Sequence, residues 1–182
     1  MPLDINLQEK HLQNVYVTAH YQGVIKKLIQ TYKYKSVKDI GKVIAQLIWY
    51  YTDLPEVDLI IPIPLKKDKL HKRGFNQTEE ICKHLSILMG IPYLNSLNKV
   101  GNYKSQASME SKEARLKNLT NTFIVNSQFK KYLETKNINE QEVSILILDD
   151  VITTGTTLNE AAKVFKYFGI KKIYGCAVAN GN

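Results

Sequence analysis

A mostly parallel α/β sheet with helices on both faces is the fold this sequence predicts, and three observations lead to it. VSILILDDVITTGTTLNEAAKVFKYFGIKKIYGCAVA, residues 143–179, reads as strand, loop, helix, Gly169 and strand. Two strands joined through a helix pair in parallel. VDLIIPIPL, residues 57–65, is a short β-branched apolar run that suits a strand buried on both faces and ended by its prolines. Between and before these lie segments with apolar residues at helical spacing, so strands alternate with helices along the chain.

Taken in order, YQGVIKKLIQTYKY places Val24, Ile25, Leu28, Ile29 and Tyr32 on one helical face with lysines opposite. VKDIGKVIAQLIWYY repeats the pattern through Val37, Ile40, Ile44, Leu47, Ile48 and Tyr51, and ends before Pro55. These two amphipathic segments make residues 1–54 a helical N-terminal part of a single domain spanning 1–182. After the strand at 57–65, TEEICKHLSILMG reads as a helix with acids in its first turn and Gly90 at its end. IPYLNSL is a candidate strand, and NKVGNYKSQASM has no period and reads as a mobile loop. SKEARLKNL reads as a short helix, NTFIV as a short strand, and 126–142 as a polar excursion before the final strand–helix–strand unit.

The totals exclude several classes. Hydrophobic residues make up 44% and charged residues 23% of the 182, the balance of a folded globule rather than a disordered chain. No apolar run approaches the roughly 18 residues needed to span a bilayer. The start, MPLDINLQEK, lacks a basic segment followed by an apolar one, so no secretory signal is read. Cys82 and Cys176 stand alone, which excludes a cysteine zinc ribbon and makes a reducing cytoplasm the expected compartment. His11, His20, His71 and His84 show no metal-ligand spacing. The net charge of +8 is spread along the chain without a basic tail, and fits a phosphate-bearing small molecule or a nucleic acid.

The chemistry concentrates in ILILDDVITTGTTL. The buried run Ile145–Leu148 delivers Asp149 and Asp150 to the carboxyl end of a strand, the edge at which open α/β sheets bind ligands. Two adjacent carboxylates cannot both enter a dry core, so they face a ligand hydroxyl, a metal or water. Thr153, Thr154, Gly155, Thr156 and Thr157 then supply hydroxyls and closely spaced backbone N–H groups leading into a helix, an anion cradle. No lysine follows the glycine, so this is not a Walker motif. A second focus is KLHKRGFNQ at 69–77. Of 25 cationic residues only Arg73 and Arg115 are arginine, and a planar guanidinium fork matches phosphate oxygens where an ammonium does not.

ILILDDVITTGTT resembles the signature of type I phosphoribosyltransferases, which bind 5-phosphoribosyl-1-pyrophosphate (PRPP). The series IPIPL, RGFNQ, the Gln106 loop, Arg115 with Asn118, and LDDVITTGTTL, in this order, is similar to the ComF (ComF/GntX-like) family. The resemblance covers about Tyr21 to Ala179 and implies a type I phosphoribosyltransferase-like core. It implies that Asp149 and Asp150 hold the ribose 2′- and 3′-hydroxyls and that residues 153–157 cradle the 5-phosphate. Arg73, with Lys66 and Lys67, would neutralise the pyrophosphate, while Asn76 and Gln77 orient it or a substrate. Lys104 on the loop would close over the site. Mg²⁺ would be carried by PRPP, with Asp149 and Asp150 as further ligands.

The same resemblance implies phosphoribosyl transfer to an unidentified acceptor and an association with DNA uptake in natural competence, with competence proteins as partners. Two departures narrow it. Thr153 stands where purine-salvage members carry an acid, which argues against a purine acceptor. The Cys-rich zinc segment with which many ComF members begin is not present here. The alternative is a non-catalytic protein that responds to PRPP or nucleotides, or that binds single-stranded DNA. Its weakness is that the tyrosines recur at core spacing, whereas stacking on bases needs exposed rings.

Overall fold

The strand order of the main sheet follows from which runs can be buried twice. A computed structural model describes residues 2–3, 10–34, 37–99 and 122–181. In chain order the strands are β1 (Pro2–Leu3), β2 (Val15–His20), β3 (Leu59–Pro62), β4 (Leu97–Lys99), β5 (Phe123–Val125), β6 (Ser144–Ile152) and β7 (Lys172–Asn180). The helices are α1 (Gly23–Tyr34), α2 (Ile40–Tyr51), α3 (Lys67–Arg73), α4 (Gln77–Met89), α5 (Ser127–Lys136) and α6 (Thr156–Phe168). The main sheet runs β1-β2-β7-β6-β3, antiparallel only at β1–β2; β4 and β5 form a separate antiparallel pair. The expected α/β architecture is therefore what the chain adopts.

β6 lies at the centre of the packing, and its alternation divides the core in two. Ile145 and Ile147 point to the layer made by α5 and α6, where they meet Phe129 and Phe165. Leu146 and Leu148 point to the layer made by α1, α2 and α4, where they meet Ile44 and Ile81. All four are fully buried. Each such side chain contributes about 1.5–3 kcal/mol by leaving water. This is why β6 tolerates no alternation with polar residues until its carboxyl end.

The second layer also holds Cys82 of α4 and Cys176 of β7, both free thiols and fully buried. Gly41 of α2 lets this layer close up: a Cβ there would come within 2.6 Å of the Tyr32 hydroxyl. The outer edge of β3 is not left open. Ile60 donates to the Pro92 carbonyl at 3.0 Å and accepts from Leu94 N at 2.9 Å, so the segment after α4 covers it.

Several expectations are corrected. The N-terminal part holds its two helices, but Val15–His20 precedes them as a strand between β1 and β7. Val24 and Tyr51, placed on apolar faces by spacing, are exposed, and Val37 lies outside α2. IPYLNSL makes only one bridge, Tyr93 to Ile60, before β4 begins at Leu97. The segment 126–142 is not merely an excursion. Asn126 caps α5 by accepting from Gln128 N, and Phe129 and Leu133, four residues apart, bury a narrow stripe. Phe129 meets Phe165 edge-on at 5.1 Å and Phe168 at 5.2 Å. The stretch after β3, to which no element is assigned from sequence, contains α3, a seven-residue helix with no buried residue. The helix expected at SKEARLKNL and the loop with Lys104 and Gln106 lie outside the described residues, as do Arg115 and Asn118.

Candidate functional site

The carboxyl edge of the sheet gathers the acids, the threonine loop and the cations. β6 runs four residues beyond Leu148, so Asp149 and Asp150 sit within the strand's last stretch, Asp149 in register with Ala177 of β7. Asp149 bends its carboxylate back to accept from the Asp150 N–H at 2.8 Å. Burial, and then the charge of Asp150, push the Asp149 carboxyl up to about 7, against the opposing pull of that hydrogen bond, Lys33 and Lys99. Asp150 has its own counter-ion: Lys33 Nζ of α1 stands 2.8 Å from its Oδ2, with side-chain exposures of 19% and 17%.

Past Ile152 the chain turns into α6 through the threonine loop. Gly155 takes φ = +82° at the position just before the helix, a left-handed conformation that glycine adopts without penalty. Its carbonyl accepts from Asn159 N at 3.0 Å, the first bond of the helix. Thr153, Thr154, Thr156 and Thr157 are all exposed, and the Thr154 and Thr156 hydroxyls bond each other at 2.8 Å. The Thr156 N–H reaches back to the Thr154 Oγ1 at 3.5 Å, and the positive end of the helix dipole opens toward solvent among these exposed threonines.

The arginine side is built differently. Arg73 ends α3, donates from Nη1 to Gln77 Oε1 at 3.0 Å, and holds its guanidinium 5.9 Å from the Tyr34 ring centre. Gln77 begins α4 and is buried. Its carbonyl accepts from the Tyr32 hydroxyl at 3.0 Å, while its Nε2 is buried with no hydrogen-bond partner among the described residues. Asn76 turns inward: Nδ2 donates to the Ile63 carbonyl at 3.1 Å, and Oδ1 lies 2.9 Å from the Thr78 hydroxyl. It braces the start of α4 against the end of β3 rather than opening to solvent. Lys66 and Lys67 are exposed at the start of α3. Lys99, at the end of β4, is half-buried. Burial lowers its ammonium, Asp149 raises it, and Lys66 and Lys69 lower it further, so the three lysines and the acids share one field.

Of the residues singled out in the sequence, Asp149, Asp150, Thr153–Thr157, Lys66, Arg73 and Gln77 reach this edge; Lys104 lies outside the described residues. Sequence reasoning missed Lys33, Tyr34 and Lys69. Lys33 belongs to the row read as solvent-facing lysines of an amphipathic helix, and no local pattern marks it. Among the described residues no group of three or more His, Cys, Asp or Glu could hold a metal, and no helix is long and apolar enough to cross a membrane.

Fold and site together define a mostly parallel α/β protein with paired acids and a glycine-threonine loop at the carboxyl edge of its sheet. No protein-family model matches the chain. It is 30% identical over 176 residues to Competence protein F of Haemophilus influenzae, spanning 91% of this chain and 72% of that one. The chain belongs to the competence protein F (ComF) family. It is also 26% identical over 161 residues to the DNA utilization protein YhgH of Salmonella typhi, of which it spans 65%. To Competence protein ComFC of Bacillus subtilis it is 30% identical over 105 residues, 58% of this chain and 37% of that protein. Among solved structures, glutamine PRPP amidotransferase from B. subtilis, complexed with ADP and GMP, superposes with a TM-score of 0.46 at 16% identity, over 79% of this chain and 26% of that one.

Proposed function

We propose that this protein binds PRPP at the carboxyl edge of its sheet and is a phosphoribosyltransferase acting in DNA uptake or utilization. The observation that carries the reading is the placement of Asp149 and Asp150 directly beside a loop that enters α6 through a left-handed Gly155. A ribose phosphate needs hydroxyl acceptors and a phosphate cradle one sugar apart, and this edge offers both. The role in DNA handling rests on the names of the relatives, Competence protein F and DNA utilization protein.

In transfer, the bond between ribose C1 and the pyrophosphate oxygen breaks while an acceptor atom bonds C1 from the opposite face. Positive charge grows on the ribose ring and negative charge on the departing pyrophosphate. Asp150 and Asp149 would hold the ribose, residues 153–157 the 5-phosphate, and Arg73 with Lys66, Lys69 and Lys99 the leaving group. Mg²⁺ fits the donors present, since it favours carboxylate oxygens and keeps waters and substrate phosphates as its other ligands. Bound with PRPP and touching Asp149 or Asp150, it would neutralise the pyrophosphate.

The test is calorimetric titration with PRPP, with and without Mg²⁺, on the intact protein and Asp150→Ala. Micromolar binding that needs Mg²⁺ and vanishes in the variant is the expected result; no heat from the intact protein overturns the reading.

A second reading, binding of single-stranded DNA, gains from a specific observation. Tyr50 and Tyr51 are 71% and 74% exposed, so not every ring that spacing assigned to the core is buried, and these two are open to stacking. An affinity for single-stranded DNA that falls with salt and survives Asp150→Ala would establish this second activity as separate from the first.

A further inference from the structure

The last turn of α1 touches three parts of the site with three consecutive residues. Tyr32 donates to the Gln77 carbonyl at 3.0 Å, Lys33 pairs with Asp150 at 2.8 Å, and Tyr34 lies under the Arg73 guanidinium. The Lys33–Asp150 pair is largely withdrawn from water, at 19% and 17% exposure. Burying two charges is costly and stabilises a fold poorly compared with apolar packing, so a pair kept in this place points to a task beyond folding. Its geometry supplies one. Lys33 engages Oδ2 of Asp150, which fixes the rotation of the carboxylate and leaves Oδ1 as the acceptor that remains. Asp149 is turned away toward the Asp150 N–H. The two acids are thus not equivalent, and the difference is imposed from α1.

We propose that Lys33 is a positioning residue for the sugar half of the ligand: through Asp150 it sets the acceptor for the ribose hydroxyls, while Arg73 serves the diphosphate half. The proposal rests on the phosphoribosyl reading given above. It predicts a division that a general basic patch would not show. Loss of Lys33 affects ligands that carry ribose, and loss of the Arg73 fork affects ligands that carry diphosphate.

The experiment titrates the intact chain, Lys33→Gln, Lys33→Arg and Arg73→Lys with ribose 5-phosphate, inorganic diphosphate and PRPP. Lys33→Gln is expected to weaken ribose 5-phosphate and PRPP about tenfold, with diphosphate changed less than about twofold. Lys33→Arg restores most of the loss. Arg73→Lys shows the opposite division. Equal loss for ribose 5-phosphate and diphosphate in Lys33→Gln overturns the proposal, because Lys33 is then only one more cation. Unchanged affinity for ribose 5-phosphate overturns it as well. Binding of none of the probes by the intact chain defeats the phosphoribosyl reading itself, a result visible before any variant is compared. Should Lys33→Gln not fold, Asp150→Asn is compared with the Lys33→Gln/Asp150→Asn double variant. No further loss on adding Lys33→Gln supports action through Asp150, and a further loss for ribose 5-phosphate overturns it.

Discussion

The threonine loop and the arginine side face the same edge but are held in place by different means. Residues 153–157 are positioned by their own neighbours: β6 brings them to the edge, Gly155 turns them, and α6 starts at Thr156. Arg73 sits on α3, which buries nothing, and is held by residues distant in sequence or on another helix, Tyr34 and Gln77. A loop fixed locally is rigid as soon as its strand and helix form. A side chain fixed by borrowed contacts moves with each lender. The contrast predicts that damage near the loop costs fold and binding together, whereas damage near Arg73 costs binding alone.

The largest effect should come from removing the foundation of the loop. Phe165 of α6 is fully buried against Phe129, so Phe165→Ala should lower stability by about 3–5 kcal/mol in urea unfolding.

Next is Asp149. Its carboxyl is raised to about 7 in the folded chain from an ordinary value of 3.8, so the folded state retains a proton that the unfolded chain has released between those values. Stability is therefore highest below pH 4 in this respect and declines as pH rises through 7. Asp149→Asn should remove the decline and raise stability at pH 8 by about 1–3 kcal/mol relative to the intact chain, with little gain at pH 4, as read from melting curves at both pH values.

Gly155→Ala forces a Cβ into the left-handed region at φ = +82° and should cost about 1–2 kcal/mol, with a matching loss of phosphate-ligand affinity. Arg73→Lys, on the borrowed side, should leave the melting temperature within error, because α3 buries nothing, while weakening diphosphate binding about tenfold. The smallest effect is that of Tyr34→Ala. It removes a cation–π contact of about 0.5–1 kcal/mol and should weaken diphosphate binding only a few-fold with no change in fold. If Tyr34→Ala and Gly155→Ala destabilise equally, the contrast between local and borrowed positioning is broken.

The same contrast explains what could be read in advance. β6, the acids, the threonine loop and α6 are contiguous, so their chemistry and their spacing are visible in one stretch of sequence. β3 and α4 were legible for the same reason, one as an unbroken β-branched apolar run and the other from the acids of its first turn and Gly90 at its end. Lys33 was not, because its role depends on where α1 lies across the sheet, and that is settled by Tyr32 packing beneath Gly41 and onto Gln77, residues 9 and 45 positions away. β2 was missed because VYVTAH is short and its pairing partner, β7, lies at the far end of the chain. α5 was missed because its apolar stripe is only Phe129 and Leu133 among lysines and polar residues. Asn76 was read as a ligand group, and it instead ties α4 to Ile63 because the polar atoms at that junction need partners.

Cys82 and Cys176 give the molecule a timekeeper. Burial pushes the Cys82 thiol well above its ordinary value and Cys176 up to about 12, so neither sulfur is a nucleophile while α4 lies on the sheet. A thiol reagent can reach them only when that layer parts, and the rate of labelling counts those partings. The layer that would part is the one holding Gln77 and the base of α1. The two dormant sulfurs thus record how often the scaffolding behind Arg73 and Lys33 comes undone.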